Sequence, residues 1–396
     1  MLIGLVGKPS VGKSTFFKAA TLAEVEIASY PFTTIKPNHG VGFVKIECIE
    51  KELNTKCNPN HGFCLQGQRF VPIDLMDVAG LVPGASEGKG LGNQFLDDLR
   101  QADAFIHIVD VSGETDAEGK SLEGKDYDIC DDVRFLEDEL NKWYFNILAK
   151  VWKTFSRQLE TGKEVNYARA IAKQFSGLGV KEEHVKAVFR KLEFKETISR
   201  WSDDQIMKFA SFLRKESKPM IIAANKIDTE KGDENFKKVK KEFSDTMVIP
   251  CSADSELALR EAAKHGLIDY VPGDIDFKII KDLSEKQKEA LDKIKNSVME
   301  NYGHTGVQEI LNYAVFGLLK YLAIFPASAN RLMDSKGRIL PDCFLLPPGS
   351  TALDFAFFLH TDFGNNFIKA IDARTKRALG KEYTLKNRDA LEIVTR

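Results

Sequence analysis

The sequence predicts an α/β fold in three parts. They are a mostly parallel sheet, an α-helical coiled-coil domain inserted into the chain of that sheet, and a C-terminal β-grasp domain. Three features of the 396-residue chain lead to this prediction. Buried apolar runs of strand length alternate with helical stretches. About a hundred residues in the middle lack such runs, and about 75 residues at the end change pattern again.

The apolar runs indicate the strands of the sheet. We expect a helix at residues 13–22 and strands at residues 2–6, 40–46, 70–76, 104–111, 219–224 and 247–249. Continuous apolar strands separated by helices are typical of a parallel sheet that is covered on both faces. We assign residues 1–112 and 217–303 to this domain.

Residues 113–216 are predicted to form the inserted helical domain. Apolar side chains recur there at spacings of three and four, at Val133, Leu136, Leu140, Trp143 and Ile147, and again at Val185, Val188 and Leu192. This spacing is typical of the seam of a helix pair or coiled coil. The insert is either a protruding helical hairpin that contacts a partner or a bundle whose stripe packs internally.

Residues 304–396 are predicted to form a separate small domain. We expect strands at 322–325 and 344–346, a helix at 351–360 capped by Ser350 or Thr351, and strands at 367–371 and 390–394. The order strand, strand, helix, strand, strand is that of a β-grasp fold.

Composition excludes several classes of function. The formal net charge is −2, with 43% hydrophobic and 29% charged residues, so we expect no general attraction to DNA or to a membrane. Residues 364–396 carry eight Lys/Arg and four Asp/Glu, which is compatible with RNA contact, although a solvated face explains such a run more simply. Residues 314–325 are too short and too interrupted, by Lys320, to span a bilayer.

The start of the chain and its cysteines favour a reducing cytoplasm. Residues 1–6 resemble a buried strand rather than a signal peptide, and the whole chain has six cysteines. Four candidate zinc ligands lie within 17 residues, namely Cys48, Cys57, His61 and Cys64. Because their spacing matches no standard pair, ordinary reduced cysteines are the favoured interpretation, and a metal site is the alternative.

A glycine-rich loop follows the first strand and opens the first helix. Its residues are Gly7, Lys8, Pro9, Ser10, Val11, Gly12, Lys13 and Ser14, followed by Thr15. The glycines let backbone N–H groups face phosphates at a helix N-terminus. We expect Lys13 to contact the β- and γ-phosphates and Ser14 to bind Mg²⁺.

Two further segments are expected to complete the phosphate and magnesium site. Asp77 ends a strand and is suited to holding a Mg²⁺-bound water, while the N–H of Gly80 is suited to sensing the γ-phosphate. Thr34, preferred over Thr33, is predicted to bring its hydroxyl to Mg²⁺ and its N–H to the γ-phosphate. A polar turn residue is the alternative for Thr34.

A third segment, Asn225-Lys226-Ile227-Asp228, ends another strand and is predicted to read the base. The Asp228 carboxylate can accept from guanine N1–H and N2–H₂, which adenine does not offer. Asn225 can donate toward N7 and join this loop to the phosphate loop, and the Lys226 stem can cover the base. Ser252 and Ala253 follow the next strand, where a backbone N–H can reach guanine O6.

The residue after Gly80 is Leu81, where related nucleotide hydrolases use a Gln to orient water. Leu cannot do this, so hydrolysis is expected to be slow, substrate-assisted or helped by another group. The candidates are His107, the backbone of residues 84–93, and a partner. A core histidine with satisfied hydrogen bonds is the alternative for His107.

These motifs together resemble the Obg-related GTPases, and within them the YchF branch of Obg-like ATPases. The resemblance rests on the phosphate loop, on Tyr30-Pro31-Phe32-Thr33-Thr34-Ile35-x-Pro37-Asn38, on Asp77-Val78-Ala79-Gly80-Leu81-Val82-x-Gly84-Ala85, and on Gly88-x-Gly90-Leu91-Gly92-Asn93-Gln94-Phe95-Leu96. It implies a P-loop GTPase domain, a coiled-coil insert and a C-terminal TGS domain. It also implies a hydrophobic residue in place of the catalytic Gln, a catalytic role for His107, and action at the ribosome in translation or stress response.

Two departures from the resemblance change the expected function. Relatives that prefer ATP have lost Asn-Lys-x-Asp, which this chain keeps, and potassium-activated relatives have Asn where this chain has Ser10. We therefore expect a cytoplasmic, monomeric, Mg²⁺-dependent GTPase that binds GTP and GDP and has the ribosome or rRNA as partner. The alternatives are an Obg-like ATPase and a nucleotide-gated ribosome- or RNA-binding adaptor with vestigial hydrolysis.

Overall fold

The fold is taken from a computed structural model of the chain. It describes residues 1–22, 38–78, 99–122, 127–161, 166–194, 197–328, 332–333, 337–340 and 342–396. These residues form two compact units. The first comprises Met1–Phe17, Leu75–Ser255 and Lys293–Gly306, and the second comprises Lys18–Asp74, Glu256–Asp292 and Val307–Arg396.

The large sheet consists of β1 (Leu2–Val6), β2 (His39–Glu47), β3 (Phe63–Leu65), β4 (Gln68–Asp77), β5 (Ala104–Asp110), β6 (Met220–Asn225) and β7 (Val248–Cys251). Its strand order is β2-β4-β1-β5-β6-β7, and β3 pairs with β4. β5 pairs in parallel with β1 and β6, and β6 pairs in parallel with β7. The predicted α/β sheet is thus confirmed, and the antiparallel β3–β4 hairpin adds to it.

The central strands are buried along their whole length, because helices cover a parallel sheet on both faces. Every residue of β5 and of β6 is buried. Helix α1 (Lys13–Thr21) starts directly after the glycine-rich loop that follows β1. This arrangement brings the ends of β1, β5, β6 and β7 to one edge of the first unit.

The insert is a helical bundle in the first unit. It consists of α2 (Cys130–Thr161), α3 (Tyr167–Gln174), α4 (Glu182–Lys191) and α5 (Asp203–Ser217). The predicted stripe packs internally: Leu136, Leu140 and Trp143 are buried in one cluster with Val185 and Val188. Trp152 stacks on Trp201 with ring centroids 5.3 Å apart, which packs the C-terminal half of α2 against the rest of the insert. Contact of the insert with a partner stays a prediction.

The C-terminal residues form a second sheet in the second unit, from β10 (Leu322–Pro326), β11 (Phe344–Leu346), β12 (Phe367–Asp372), β13 (Ala378–Leu379) and β14 (Ala390–Thr395). Its strand order is β11-β10-β14-β12-β13. Helix α11 (Ala352–Leu359) begins at the N-cap Thr351, whose side chain and Asp354 form a capping box. The predicted β-grasp order is present, with the short β13 and α12 (Thr361–Asn365) added.

The remaining α-helices and strands complete the two units. They are α6 (Gly232–Glu242), α7 (Ala253–Lys264), β8 (Ile268–Asp269), β9 (Lys278–Ile279), α8 (Glu285–Ile294), α9 (Glu300–Tyr302) and α10 (Val307–Asn312). The apolar stretch that begins at residue 314 is a short π-helical segment, Tyr313–Leu318, that leads into β10. Among the described helices, none is both long and apolar enough to cross a membrane.

Candidate functional site

The glycine-rich loop makes a tight curl between β1 and α1. Its backbone takes positive φ at Gly7 (150°), Ser10 (65°) and Gly12 (92°). A Cβ at Gly7 would lie 2.5 Å from the carbonyl oxygen of Ile108, and one at Gly12 would lie 2.4 Å from Asn225 Nδ2. Glycine is therefore required at both positions, by conformation and by space.

Lys13 reaches back across this loop. Its Nζ donates to the carbonyl oxygens of Gly7 (3.0 Å) and Lys8 (2.8 Å), so the loop wraps around the ammonium group. Burial lowers the pKa of Lys13, and the nearby Asp77 carboxylate opposes that shift. The other loop residues vary in burial: Val11 is buried, Pro9 and Thr15 are half-buried, and Ser10 and Ser14 are exposed.

The two described candidates for Mg²⁺ lie together. Ser14 Oγ donates to Asp77 Oδ2 at 3.1 Å, which joins the start of α1 to the end of β4. Burial raises the pKa of Asp77, while the Ser14 hydroxyl and the charge of Lys13 lower it. A hydroxyl and a carboxylate oxygen are hard ligands of the kind that Mg²⁺ prefers, so this pair fits the ion. The other candidates, Thr34 and Gly80, lie outside the described residues, as does Leu81.

Asn225 connects the predicted base-reading loop to the phosphate loop. At the end of β6, its buried side chain donates from Nδ2 to the carbonyl oxygen of Val11 at 2.8 Å. Its Oδ1 accepts from the N–H of Ala253 at 3.0 Å. One amide thus holds together the three loops that follow β1, β6 and β7, as the sequence predicted for the first two.

Lys226 and Asp228 differ from Asn225 in their contacts. Lys226 has a φ of 65°, and its Nζ donates to Oδ2 of the buried Asp110 at 2.6 Å. Asp110 also accepts from the N–H and hydroxyl of Ser112, which fixes the carboxylate at the end of β5. Asp228 is half-buried, and across the described part of the chain no residue pairs with its carboxylate.

The loop after β7 is held by the same network. The N–H of Ser252 donates to the carbonyl oxygen of Thr305 at 2.8 Å, and the Ser252 hydroxyl donates to Ser255 Oγ at 2.8 Å. The predicted guanine-facing N–H of Ala253 already has Asn225 Oδ1 as its acceptor. Contact with a base at this N–H therefore requires a shared or exchanged hydrogen bond.

Sequence reasoning missed the contacts of Lys8, which it placed only among the loop residues. Lys8 Nζ lies 2.9 Å from Asp132 Oδ2 in the first turn of α2 and donates to the carbonyl oxygen of Thr115 at 2.9 Å. The Tyr127 ring lies 4.5 Å from the ammonium group. Burial raises the pKa of Asp132, whereas Tyr127 and Lys8 lower it. This buried ion pair connects the phosphate loop to the helical insert.

His107 lies inside the sheet. It is 1% exposed and sits opposite Val6 of β1 and Ile222 of β6. Burial, aided by the charge of Lys13, lowers its pKa to about 3, so the imidazole is neutral at physiological pH. Its Nδ1 has no hydrogen-bond partner within the described ranges.

Three family models match successive parts of the chain. Residues 2–137 match "50S ribosome-binding GTPase", residues 223–328 match the G4 motif-containing domain of the YGR210-like Obg-like GTPases, and residues 335–395 match the TGS domain. The first match includes the phosphate loop, and the second includes Asn225 and Asp228.

Similar proteins match along almost their entire length. An uncharacterized GTP-binding protein of Methanocaldococcus jannaschii is 46% identical over 395 residues, covering 100% of this chain and 99% of the relative. The ribosome-binding ATPase YchF of Bacillus subtilis is 27% identical over 425 residues, covering 98% of each. The crystal structure of a GTP binding protein from Pyrococcus horikoshii OT3 is 39% identical with a TM-score of 0.78, covering 100% of both chains. The chain therefore belongs to the YchF/Obg-like GTPase family.

Proposed function

We propose that this chain is a Mg²⁺-dependent GTPase whose nucleotide state controls its association with the ribosome. The observation that carries the proposal is the pair of hydrogen bonds made by Asn225, to Val11 and to Ala253. They hold a base-reading segment at a fixed position beside a phosphate-binding loop, which is the arrangement that recognition of a whole nucleotide requires.

Asp228 is the group that selects guanine in this proposal. Guanine presents the N1–H and N2–H₂ donors to a carboxylate, whereas adenine presents an acceptor at N1. The Asp228 carboxylate has no competing partner among the residues that the structure describes. Adenine would leave this charged acceptor unpaired, and an unpaired group of this kind costs about 1–3 kcal/mol or more.

Two neighbouring groups support the base in this proposal. The Lys226 head is held by Asp110, which leaves its stem to cover the base face. The Ala253 N–H approaches guanine O6 by sharing its hydrogen with Asn225 Oδ1, and Ser252 holds the loop in position. Asn225 combines the structural role with a donor directed toward N7.

The phosphate end of the site follows from Lys13, Ser14 and Asp77. Lys13 turns from the loop carbonyls to the β- and γ-phosphates when they occupy the curl, because phosphate is the stronger acceptor. Ser14 and Asp77 would hold Mg²⁺, directly and through a bound water respectively. The ion would neutralise the charge on the β- and γ-phosphate oxygens. Thr34 and Gly80 are proposed to add a magnesium ligand and a γ-phosphate contact.

Hydrolysis needs a group that takes the place of the missing Gln at Leu81. His107 is proposed to act as a neutral imidazole beside Lys13, since a pKa of about 3 makes it a poor proton carrier at neutral pH. Activation of the water then falls to the backbone of residues 84–93 or to a partner. We therefore propose slow intrinsic turnover that the partner accelerates.

A competition titration tests the choice of base. GTP and ATP displace a fluorescent GDP from the full-length protein in the presence of Mg²⁺. The expected result is that GTP binds about 100-fold more tightly than ATP, because adenine leaves the charged Asp228 acceptor unpaired. Equal affinities for the two nucleotides would contradict the proposal.

The ribosome is the proposed partner, and the cytoplasm the proposed location, with the protein acting as a monomer. Support comes from the names of the matched family model and of the Bacillus subtilis relative. The basic stretch 364–396 contributes less charge than its count indicates, because Arg374 and Arg388 form ion pairs with Glu52. Exposed basic side chains that could contact rRNA are Lys369, Lys376, Arg377, Lys381, Lys386 and Arg396.

Two alternatives have specific support. The Bacillus subtilis relative is named as an ATPase, which supports ATP as the substrate, and the titration above decides this case. Leu81 supports a nucleotide-gated adaptor with vestigial hydrolysis. Single-turnover hydrolysis and co-sedimentation with ribosomes distinguish the adaptor from the GTPase. In a GTPase switch, ribosomes should stimulate GTP hydrolysis, and binding to ribosomes should depend on which nucleotide is bound. Nucleotide-dependent binding without stimulated hydrolysis would favour the adaptor.

A further inference from the structure

Three cysteines and a glutamate of the second unit meet around one point. The Sγ atoms of Cys48, Cys57 and Cys64 and a carboxylate oxygen of Glu50 all lie within 4.8 Å of one another. The sequence had suggested His61 as the fourth group. The structure corrects this: His61 Nδ1 lies 2.7 Å from an Asp342 carboxylate oxygen, and Glu50 occupies the fourth position.

The backbone explains how residues so far apart in sequence converge. Cys64 lies in β3, directly opposite Arg69 of β4. The two-residue turn of this hairpin, Gln66 and Gly67, has positive φ at both positions (50° and 82°), as type I′ turns require. The carbonyl oxygen of Gly67 accepts from the N–H of Cys48 at 2.8 Å, which places Cys48 beside the hairpin.

Glu50 is oriented by the backbone of Cys57. The Cys57 N–H donates to Glu50 Oε2 at 2.9 Å, so one carboxylate oxygen is anchored to the backbone. The other oxygen, Oε1, lies 3.8 Å from Cys64 Sγ. Anchoring of the remote oxygen is how proteins orient a ligating carboxylate.

We infer that Cys48, Glu50, Cys57 and Cys64 bind a structural zinc ion. Zinc takes thiolate ligands at about 2.3 Å in a tetrahedron, which sets sulfur atoms about 3.8 Å apart. Cys48 Sγ and Cys57 Sγ are 3.8 Å apart. That separation is far longer than a disulfide bond of about 2.05 Å, and none of the six cysteines forms a disulfide.

The charge of Arg69 points to the same conclusion. Its guanidinium group is completely buried, and Nη2 lies 4.0 Å from Cys48 Sγ while donating to the carbonyl oxygen of Leu340 at 2.7 Å. Its Nε and Nη1 have no partner in the described portion of the chain. Beside neutral thiols, such a cation would be costly to bury. Zinc with three thiolates and one carboxylate carries a net charge of −2, which a buried cation offsets.

The ligand set indicates a structural rather than a catalytic role. Four protein ligands fill the tetrahedron and leave no open position. Residues between the ligands contact the C-terminal part of the same unit: the Asn58 N–H donates to the carbonyl oxygen of Ile339 at 2.8 Å, and His61 pairs with Asp342. Zinc would thereby hold the loop that makes these contacts.

Metal analysis of full-length, untagged protein tests this inference without measuring nucleotide binding or hydrolysis. The expected result is about one zinc per chain, with X-ray absorption showing three sulfur neighbours at about 2.3 Å and one lighter atom at about 2.0–2.2 Å. Cys57→Ser should weaken zinc binding by roughly tenfold or more, as should Glu50→Gln. Cys130→Ala removes a thiol of the first unit and should leave the zinc content unchanged.

Alkylation of the wild-type protein provides a test that needs no variant. The three cluster cysteines should resist alkylation until a chelator removes the zinc, and the thermal midpoint should fall at the same time. The inference would be overturned if the protein bound no zinc after incubation with excess zinc, or if it held iron instead. A Cys48–Cys57 disulfide, or an unchanged zinc affinity in Cys57→Ser, would overturn it as well.

Discussion

Asn225 Nδ2 donates to the carbonyl oxygen of Val11 at 2.8 Å, so the segment proposed to read the base is joined directly to the glycine-rich loop proposed to hold the phosphates. The same amide accepts from the Ala253 N–H through Oδ1. Because Asn225 is 3% exposed, water does not compete for either hydrogen bond. Gly12 leaves the space for this contact, since any Cβ there would overlap Nδ2.

Asn225→Ala should weaken the binding of GTP and GDP together. The change removes two buried hydrogen bonds and releases both loops, so we expect affinities roughly 10- to 100-fold lower. Isothermal titration calorimetry measures this. Asn235→Ala is the matched control, because Asn235 Nδ2 makes a similar bond of 2.9 Å to the Val111 carbonyl oxygen. Equal losses of affinity in the two variants would show that Asn225 has no special role.

Ser14→Ala should change the response to Mg²⁺ rather than the recognition of the base. The hydroxyl that faces Asp77 is lost, so about tenfold more Mg²⁺ should be needed for half-maximal GTP affinity. Binding of GDP in excess chelator should stay as in the wild type. Thr21→Ala, at the other end of α1, serves as the control. A normal magnesium requirement in Ser14→Ala would remove Ser14 from the metal site.

Lys8 and Asp132 should stabilise the fold only when both charges are present. Their side chains are 4% and 5% exposed, so Asp132→Ala leaves a buried cation without its counter-ion. We expect a loss of about 3–5 kcal/mol from the apparent free energy of urea unfolding. Adding Lys8→Met should recover much of that loss. Additive losses in the double variant would mean that the two charges do not interact.

His107 should make stability fall in mild acid. Its pKa is lowered to about 3 in the folded state, so below the unfolded value near 6.5 the unfolded chain gains a proton that the folded chain does not. The free energy of unfolding should therefore fall by about 1.4 kcal/mol per pH unit from this group as the pH drops through that window. His107→Leu should remove this part of the slope, as measured by urea unfolding at about pH 7.5 and about pH 5.

The same pKa bears on hydrolysis. Because the imidazole stays neutral between about pH 5 and about pH 7.5, a plot of the single-turnover rate against pH should show no inflection near pH 6.5. An inflection there that disappears in His107→Leu would contradict a pKa of about 3 and would restore His107 as a proton carrier.

Local patterns predicted much of this molecule. The strands of the large sheet other than β3 could be predicted because their residues run apolar or alternate, and the glycine-rich loop because the conformations of Gly7 and Gly12 allow few other residues. The contact of Asn225 with the phosphate loop could be predicted from the order of the nucleotide-binding motifs along the chain. Parallel strands bring their carboxyl ends to one edge of the sheet.

The contacts that sequence could not predict join side chains remote in the chain. Lys8 gave no signal of its partner Asp132, because the register of α2 against the loop is set by packing of the whole insert. Glu50 was missed for a similar reason. A single carboxylate carries no spacing signal, and Glu50 meets the cysteines only through its hydrogen bond with the Cys57 N–H and the hairpin that holds Cys64.

The most direct test of guanine recognition is a comparison of GTP and xanthosine triphosphate on wild-type protein and on Asp228→Asn. Xanthine has a carbonyl oxygen where guanine has its 2-amino group, so an amide at this position can donate to xanthine and loses its match to guanine. Guanine recognition by Asp228 predicts a roughly 100-fold loss of GTP affinity in Asp228→Asn and a comparable gain for the xanthine nucleotide, with Glu230→Gln unchanged as the control. GTP affinity that is the same in Asp228→Asn as in the wild type would contradict it.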